Sequence, residues 1–168
     1  MPHSLDDLPA GATVFIDANI FVYHFVESSK QCKTFLARCE QGELFGVTGV
    51  HVLLEVLHRL MMIEAVEAGL VSPGNVPRKL RERPDVIGQL QDYQDYTDTI
   101  PDMGIDVRPL TVDIVQISLA YRHRYGLLVN DSVTLALAVS DGLDSLATAD
   151  KDFRRVDEVT IYQPDDLR

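Results

Sequence analysis

Positive charge is scarce in this sequence: 15 Lys and Arg stand against 26 Asp and Glu, for a net charge of −11 at pH 7. A chain that grips nucleic acid by blanket phosphate neutralisation should be basic. Two readings survive: no nucleic-acid partner, or acidity concentrated in a metal pocket with a local basic rim. A basic partner protein would also suit an acidic chain. Cysteine is limited to Cys32 and Cys39, seven positions apart in a stretch that reads as helix. At ~1.5 Å rise per residue their Cα atoms stand roughly 10 Å apart, too far for an unstrained disulfide. With no CxxC pair, zinc ribbons and thioredoxin-like redox chemistry are excluded. There is no long apolar run either. The greasiest segment, His51 to Val71, is interrupted by Glu55, His58, Arg59, Glu64 and Glu67 and does not read as a bilayer span. Met1 to Gly11 is acidic without an apolar core, so no secretion signal is read and a cytoplasmic protein is expected. No P-loop, GxGxxG, Ser/His/Asp signature, internal repeat or low-complexity tract is present.

What is there suffices for one ordinary globular domain over 1–168, with 46% hydrophobic and 24% charged residues. Thr13–Ile16, after Pro9 and Gly11, is a short β-branched and aromatic run, the pattern of a buried strand. Further strands are expected at Leu44–Thr48, Ile105–Leu110, Ser145–Thr148 and Val159–Tyr162. Helical patterns cover Ser28–Gln41, Gly49–Ala68, Val86–Thr99, Thr111–Tyr125 and Asp131–Ser140, several closed by a glycine. The second of these carries apolar residues around most of its circumference and predicts a well-buried helix. Leu70–Pro84, with Pro73, Gly74, Pro77 and Pro84, reads as loop or short helix. Strands separated by helices imply right-handed crossovers and a mostly parallel sheet covered on both faces, a three-layer α/β/α sandwich.

Ligands of open parallel sheets sit beyond the carboxyl ends of the strands. Asp17 follows the first strand in Phe15-Ile-Asp-Ala-Asn19, and Glu55 stands about two turns into the helix after Leu44–Thr48. Asp131 opens an apolar helix after Leu127-Leu-Val-Asn130, and Asp150 follows Ser145–Thr148 in Ala147-Thr-Ala-Asp-Lys-Asp-Phe153. Each acid has an ordinary reading: Asp17 and Asp131 as helix caps, Asp150 as a turn residue, Glu55 as a solvated helix face. Four such residues, each after the right kind of element, point instead to one acidic pocket. Clustered carboxylates repel one another unless a cation sits between them. Oxygen ligands select hard ions such as Mg²⁺ or Mn²⁺, and one or two such ions support in-line phosphoryl displacement. Phosphodiester cleavage follows.

The segments Phe15–Tyr23, the helical Glu55, Val129–Ala136 and Leu146–Phe153 resemble, in chain order, the four acidic motifs of PIN-domain ribonucleases. The likeness is closest to VapC-type toxins of toxin–antitoxin pairs and runs from Thr13 to Tyr162. It implies a PIN-like fold, a metal-dependent endoribonuclease, and Asp17, Glu55, Asp131 and Asp150 as catalytic, metal-holding acids, with Asp17 and Asp131 the direct ligands. Asn19 and Thr148 match polar positions lining such a pocket, and Asp152 is an accessory acid. The resemblance also implies a homodimer and an antitoxin that offers basic residues to the pocket. Residues 69–102 exceed what compact toxins need and read as an insertion.

Other constellations carry separate expectations. His51, Glu55 and His58 share one helix at offsets that could chelate zinc. Arg122, Arg124, Lys151, Arg154 and Arg155 lie near the acidic motifs as candidate RNA contacts, as does the basic run Arg78, Lys79, Arg81 and Arg83. Tyr93 and Tyr96 read as core. Phe21, Val22, Tyr23 and Phe25 offer an apolar patch for a symmetric dimer. Rival functions are a haloacid-dehalogenase-type phosphatase, which wants an Asp where Asn19 stands, and a non-catalytic interaction module.

Overall fold

The computed structural model describes residues 1–167. Its six strands are β1 (His3–Ser4), β2 (Thr13–Ile16), β3 (Phe45–Gly49), β4 (Asp106–Arg108), β5 (Ser145–Ala147) and β6 (Thr160–Gln163). They form one sheet in the order β1-β6-β5-β2-β3-β4, and every pairing is parallel. The helices are α1 (Ala18–Phe25), α2 (Lys30–Glu40), α3 (Val50–Glu67), α4 (Val76–Glu82), α5 (Pro84–Ile87), α6 (Asp92–Asp98), α7 (Val112–Tyr125) and α8 (Val129–Ser140). The expected α/β sandwich is therefore present, with a sheet parallel throughout.

A parallel strand covered on both faces needs a continuous apolar run, and β2 supplies Val14, Phe15 and Ile16, all fully buried. Phe15 stands in register between Val47 of β3 and Leu146 of β5. Helix α2 starts where Ser29 Oγ accepts from Cys32 N–H at 3.0 Å and buries Cys32, Phe35, Leu36 and Cys39. Both cysteines are free, and burial pushes their thiols up to about 11 and about 12, which leaves them inert packing groups. The chain advances from β2 through β3 to β4, then jumps back past β2 to β5. Right-handed crossovers of opposite direction put α1–α6 on one face and the α7–α8 hairpin on the other. The packing agrees: α1 contacts α2 and α3, α3 contacts α6, and α7 packs on α8.

Several boundaries differ from the sequence reading. Strand β1 was not expected, since two residues carry no periodic signal, and β4 ends before Pro109 rather than at Leu110. The helix expected over Val86–Thr99 is broken into α5 and α6, separated by residues 88–91. Helix α3 is less buried than its composition suggests: Val52, Val56, Leu60 and Ala65 face inward, while Leu54 is 63% exposed. Residues 69–102 form α4, α5 and α6 over a small separate cluster of Ala65, Leu80, Val86 and Leu90. Among the described residues, no helix is long and apolar enough to cross a membrane.

Candidate active site

Strands β2 and β5 lie side by side, and the chain leaves them in opposite directions across the sheet, so a crevice opens at their carboxyl ends. Asp17 leaves β2 at the centre of this crevice and is only 7% exposed. Its Oδ1 accepts from Ala18 N–H at 2.8 Å, which caps α1. Its Oδ2 accepts from Thr148 Oγ1 at 2.7 Å and from Asn19 Nδ2 at 3.0 Å. Asp17 thus caps a helix, its ordinary reading, and at the same time faces Thr148 and Asn19 in the crevice. Asn19 also reaches across, its Oδ1 accepting from Ala149 N–H at 2.8 Å. Thr148 Oγ1 accepts from Asp150 N–H at 3.0 Å. The loop after β5 is thereby tied to the loop after β2.

Asp150 has its Oδ1 bound by Asp152 N–H at 2.8 Å, the turn geometry its sequence allowed. Gln163 of β6 donates to Asp150 O at 3.1 Å. Asp131 stands third in α8 rather than opening it, and is half-buried. Asp131, Asp150 and Asp152 each offer a carboxylate oxygen within 4.8 Å of the others. Glu55 is half-buried on α3.

Electrostatics couples these acids into one group. Burial raises Asp17, and the charge of Asp150 adds to it, against the hydrogen bonds from Thr148 and Ala18 and the charge of Arg59. Burial raises Glu55, with Asp17 and Asp150 adding and Arg59 opposing. Asp131 is pushed up to about 7 by burial, then by Asp150, Asp17, Glu55 and Asp152. Repulsion shared among buried carboxylates is what a divalent cation relieves, and the all-oxygen donor set fits Mg²⁺ or Mn²⁺.

The cations near the site are differently disposed. Arg122 Nη1 donates to Ser118 Oγ at 2.9 Å and to Ser132 Oγ at 3.0 Å, joining α7 to α8. Arg124 pairs with Asp157 and Glu158. Arg154 holds Gln163 Oε1 at 3.0 Å, so it braces the residue that bonds the Asp150 carbonyl. Arg155 pairs with Asp152 at 3.3 Å. Lys151 is exposed directly after Asp150. In the basic run, Arg78 pairs with Glu82, Arg83 with Asp85, and Lys79 bonds Ser72 and the Pro73 carbonyl. Arg59 was missed in the sequence, though its place one turn beyond Glu55 on α3 was the available signal.

The zinc face does not form: His51 Nε2 lies 3.0 Å from Thr134 Oγ1, and His58 is exposed. Nor is the α1 apolar patch open. Phe21 and Val22 are buried in the chain's own core, and Tyr23 and Phe25 are partly covered. Tyr93 packs in the core, but Tyr96 is 45% exposed and stacks on Phe25.

Comparison with known proteins adds three kinds of likeness. The family model for the PIN domain matches residues 14–159. Ribonuclease VapC6 of Methanocaldococcus jannaschii is 22% identical over 152 residues, covering 90% of this chain and 97% of that protein. Among solved structures, VapBC2 from Rickettsia felis bound to a promoter DNA fragment aligns with a TM-score of 0.58 at 13% identity, over 90% of this chain and 98% of that one. A toxin–antitoxin complex from Klebsiella pneumoniae aligns with a TM-score of 0.55 at 20% identity, over 87% and 94%. The sarcin–ricin-loop-cleaving toxin VapC20 of Mycobacterium tuberculosis aligns with a TM-score of 0.56 at 14% identity, over 84% and 92%.

Proposed function

Because the chain belongs to the PIN-domain family, we propose that it is an endoribonuclease that hydrolyses RNA phosphodiester bonds with Mg²⁺ or Mn²⁺ held by Asp17, Glu55, Asp131 and Asp150. The observation that carries this reading is the acid cluster itself: three carboxylate oxygens within 4.8 Å of one another, electrostatically coupled to the buried Asp17. A bound cation supplies activation of the attacking water and stabilisation of charge on the phosphate. The chain's own residues prepare for it. An ionised carboxylate has about four lone-pair directions; Thr148, Asn19 and Ala18 engage three on Asp17, which leaves one on Oδ1 for a cation. Lys151 and Arg59 are the cations best placed to hold phosphate. Arg122, Arg124 and Arg154 would contact RNA only by exchanging their present protein partners.

The names of the relatives, a ribonuclease and toxins, support reading this chain as the toxin of a toxin–antitoxin pair acting in the cytoplasm. Its antitoxin would offer basic residues to the acidic pocket, which a net charge of −11 favours. We also propose one nuclease domain with residues 69–102 as an added layer on α3. The homodimer would pair through α7 and the start of α8, where Val112, Leu119, Leu128 and Val129 are exposed. A phosphoaspartyl phosphatase would need a carboxylate where Asn19 stands, and a non-catalytic module would gain nothing for the cost of burying repelling acids.

Incubation of the purified protein with defined RNAs, with Mn²⁺ or with EDTA, tests the reading. Cleavage should require the metal, and Asp17→Asn should lower it by at least about a hundredfold with the fold intact. Cleavage that survives EDTA, or a folded Asp17→Asn variant that cuts at the parental rate, overturns it.

A further inference from the structure

His51 stands in the first turn of α3, one turn before Glu55, so both side chains leave the helix on the same side. Its Nε2 lies 3.0 Å from Oγ1 of Thr134, 83 residues away on α8. Thr134 stands one turn after Asp131 and is buried. One hydrogen bond therefore joins the two helices beside the two acids they present. A Cβ added at Gly49 would come within 2.6 Å of His51 Cε1 and Nδ1, so the imidazole occupies the space that the missing side chain of Gly49 leaves. Nδ1 is buried without a hydrogen-bond partner among the described residues. An orphaned buried N–H is rarer than a bare acceptor, so the proton belongs on Nε2, which donates to the Thr134 hydroxyl. Burial pushes His51 down to about 4, which keeps this ring neutral at ordinary pH.

The acids need such a brace. Asp131 feels the charge of Glu55, so without a cation the presenting ends of α3 and α8 repel. Helix α8 packs chiefly on α7, which grips it through Arg122 at Ser132. Among the described residues, the polar tie from α8 across to α3 is the His51–Thr134 bond.

We propose that His51 is a positioning residue that, through Thr134, holds the helices of Glu55 and Asp131 at the separation a divalent cation needs before the cation arrives. This rests on the metal-dependent reading above. The bond then works as preorganisation: without it, part of the binding free energy of the ion goes into closing the two helices against their own repulsion.

Calorimetric titration of Mn²⁺ into the full chain tests this. Thr134→Val keeps the side-chain shape and removes the hydroxyl; it should weaken Mn²⁺ binding roughly two- to tenfold, the worth of one neutral hydrogen bond. Thr134→Ser should bind close to the parental affinity. His51→Phe keeps a ring over Gly49 and should weaken binding to a similar extent, and adding it to Thr134→Val should cost little more. A role in packing alone would lower the melting temperature and leave the Mn²⁺ dissociation constant of the folded protein unchanged. If the parent binds Mn²⁺ and Thr134→Val binds it equally well, the brace is overturned and the metal reading stands. If the parent binds no Mn²⁺, the metal reading falls and the brace with it. Should His51→Phe fail to fold, the two Thr134 variants decide the question.

Discussion

Asp131 is half-buried among Asp150, Asp17, Glu55 and Asp152, and burial first, then the charges of these acids, push its carboxyl up to about 7. In the metal-free protein it therefore keeps a proton over a range in which the unfolded chain has already lost one. A group raised in this way contributes stability that is complete below its unfolded value and is lost as pH rises through about 7. His24 and His51 act in the opposite sense. Burial lowers both, so their contribution grows as pH rises towards 6.5 and is level above it. The acid effect thus stands clear between about pH 6.5 and pH 8, where the metal-free melting temperature should fall as pH rises. Saturating Mn²⁺ should reverse the trend, because the ion takes the deprotonated acids and its affinity grows as they ionise. Asp131→Asn should flatten the metal-free slope. A slope unchanged by Asp131→Asn would remove Asp131 from the coupled group.

Helix α6 depends on a side chain far from it in sequence. Glu64 of α3 accepts from Gln91 N–H and Tyr93 N–H, both at 2.9 Å, and so satisfies free donors at the start of a helix that has no cap of its own. Glu64→Ala leaves both donors without that partner. It should cost about 1–2 kcal/mol, a melting-temperature loss of roughly 2–5 °C, with hydrogen exchange quickening in α6 before β2. An unchanged melting temperature would show that water replaces the carboxylate without loss. The same contact shows where sequence reading stops. Elements carrying their own signals were legible: the apolar run of β2, Gly42 after α2, Gly126 after α7. The break between α5 and α6 was not, because the residue that restarts the helix lies on α3. Within the candidate site, Asp17 and Asp150 stood out because each follows an expected strand, whereas Asn19 and Thr148 were singled out only through the family resemblance. His51 could be seen as a helical histidine but not as a partner of Thr134, and Arg59 passed as an interruption of an apolar stretch. The first role exists only once the sheet has brought distant segments together, whereas the second was open to reading, since Arg59 stands one turn beyond Glu55 on the same helix.

At the scale of the whole molecule, apolar surface gathers on one hairpin. Helix α7 buries only Ser118 and Tyr125, while Val112 is 71% exposed and Ile117 and Leu119 are 47% exposed. Val112, Val115 and Leu119 recur at intervals of three and four and share one face of the helix. Leu128 and Val129, just before Asp131, are 72% and 59% exposed and carry apolar surface up to the acidic crevice. The aromatic residues after Asp17 do not contribute, because α1 spends Ile20, Phe21 and Val22 on its own core. A self-complementary contact closed by a two-fold axis is the commonest way such a face is covered, and an acidic chain accepts one most readily through a surface of low charge. Light scattering at tens of micromolar should therefore give twice the chain mass of 18.8 kDa. Leu119→Glu places a charge at the centre of the face without touching the core, and it should yield a monomer whose melting temperature no longer rises with protein concentration. Because Leu119 lies on the exposed side of α7, Mn²⁺ binding by this variant should match the parent, which separates pairing from the site. A parent that runs as a monomer at high micromolar concentration would leave the α7 face without a second copy to cover it and would overturn the dimer.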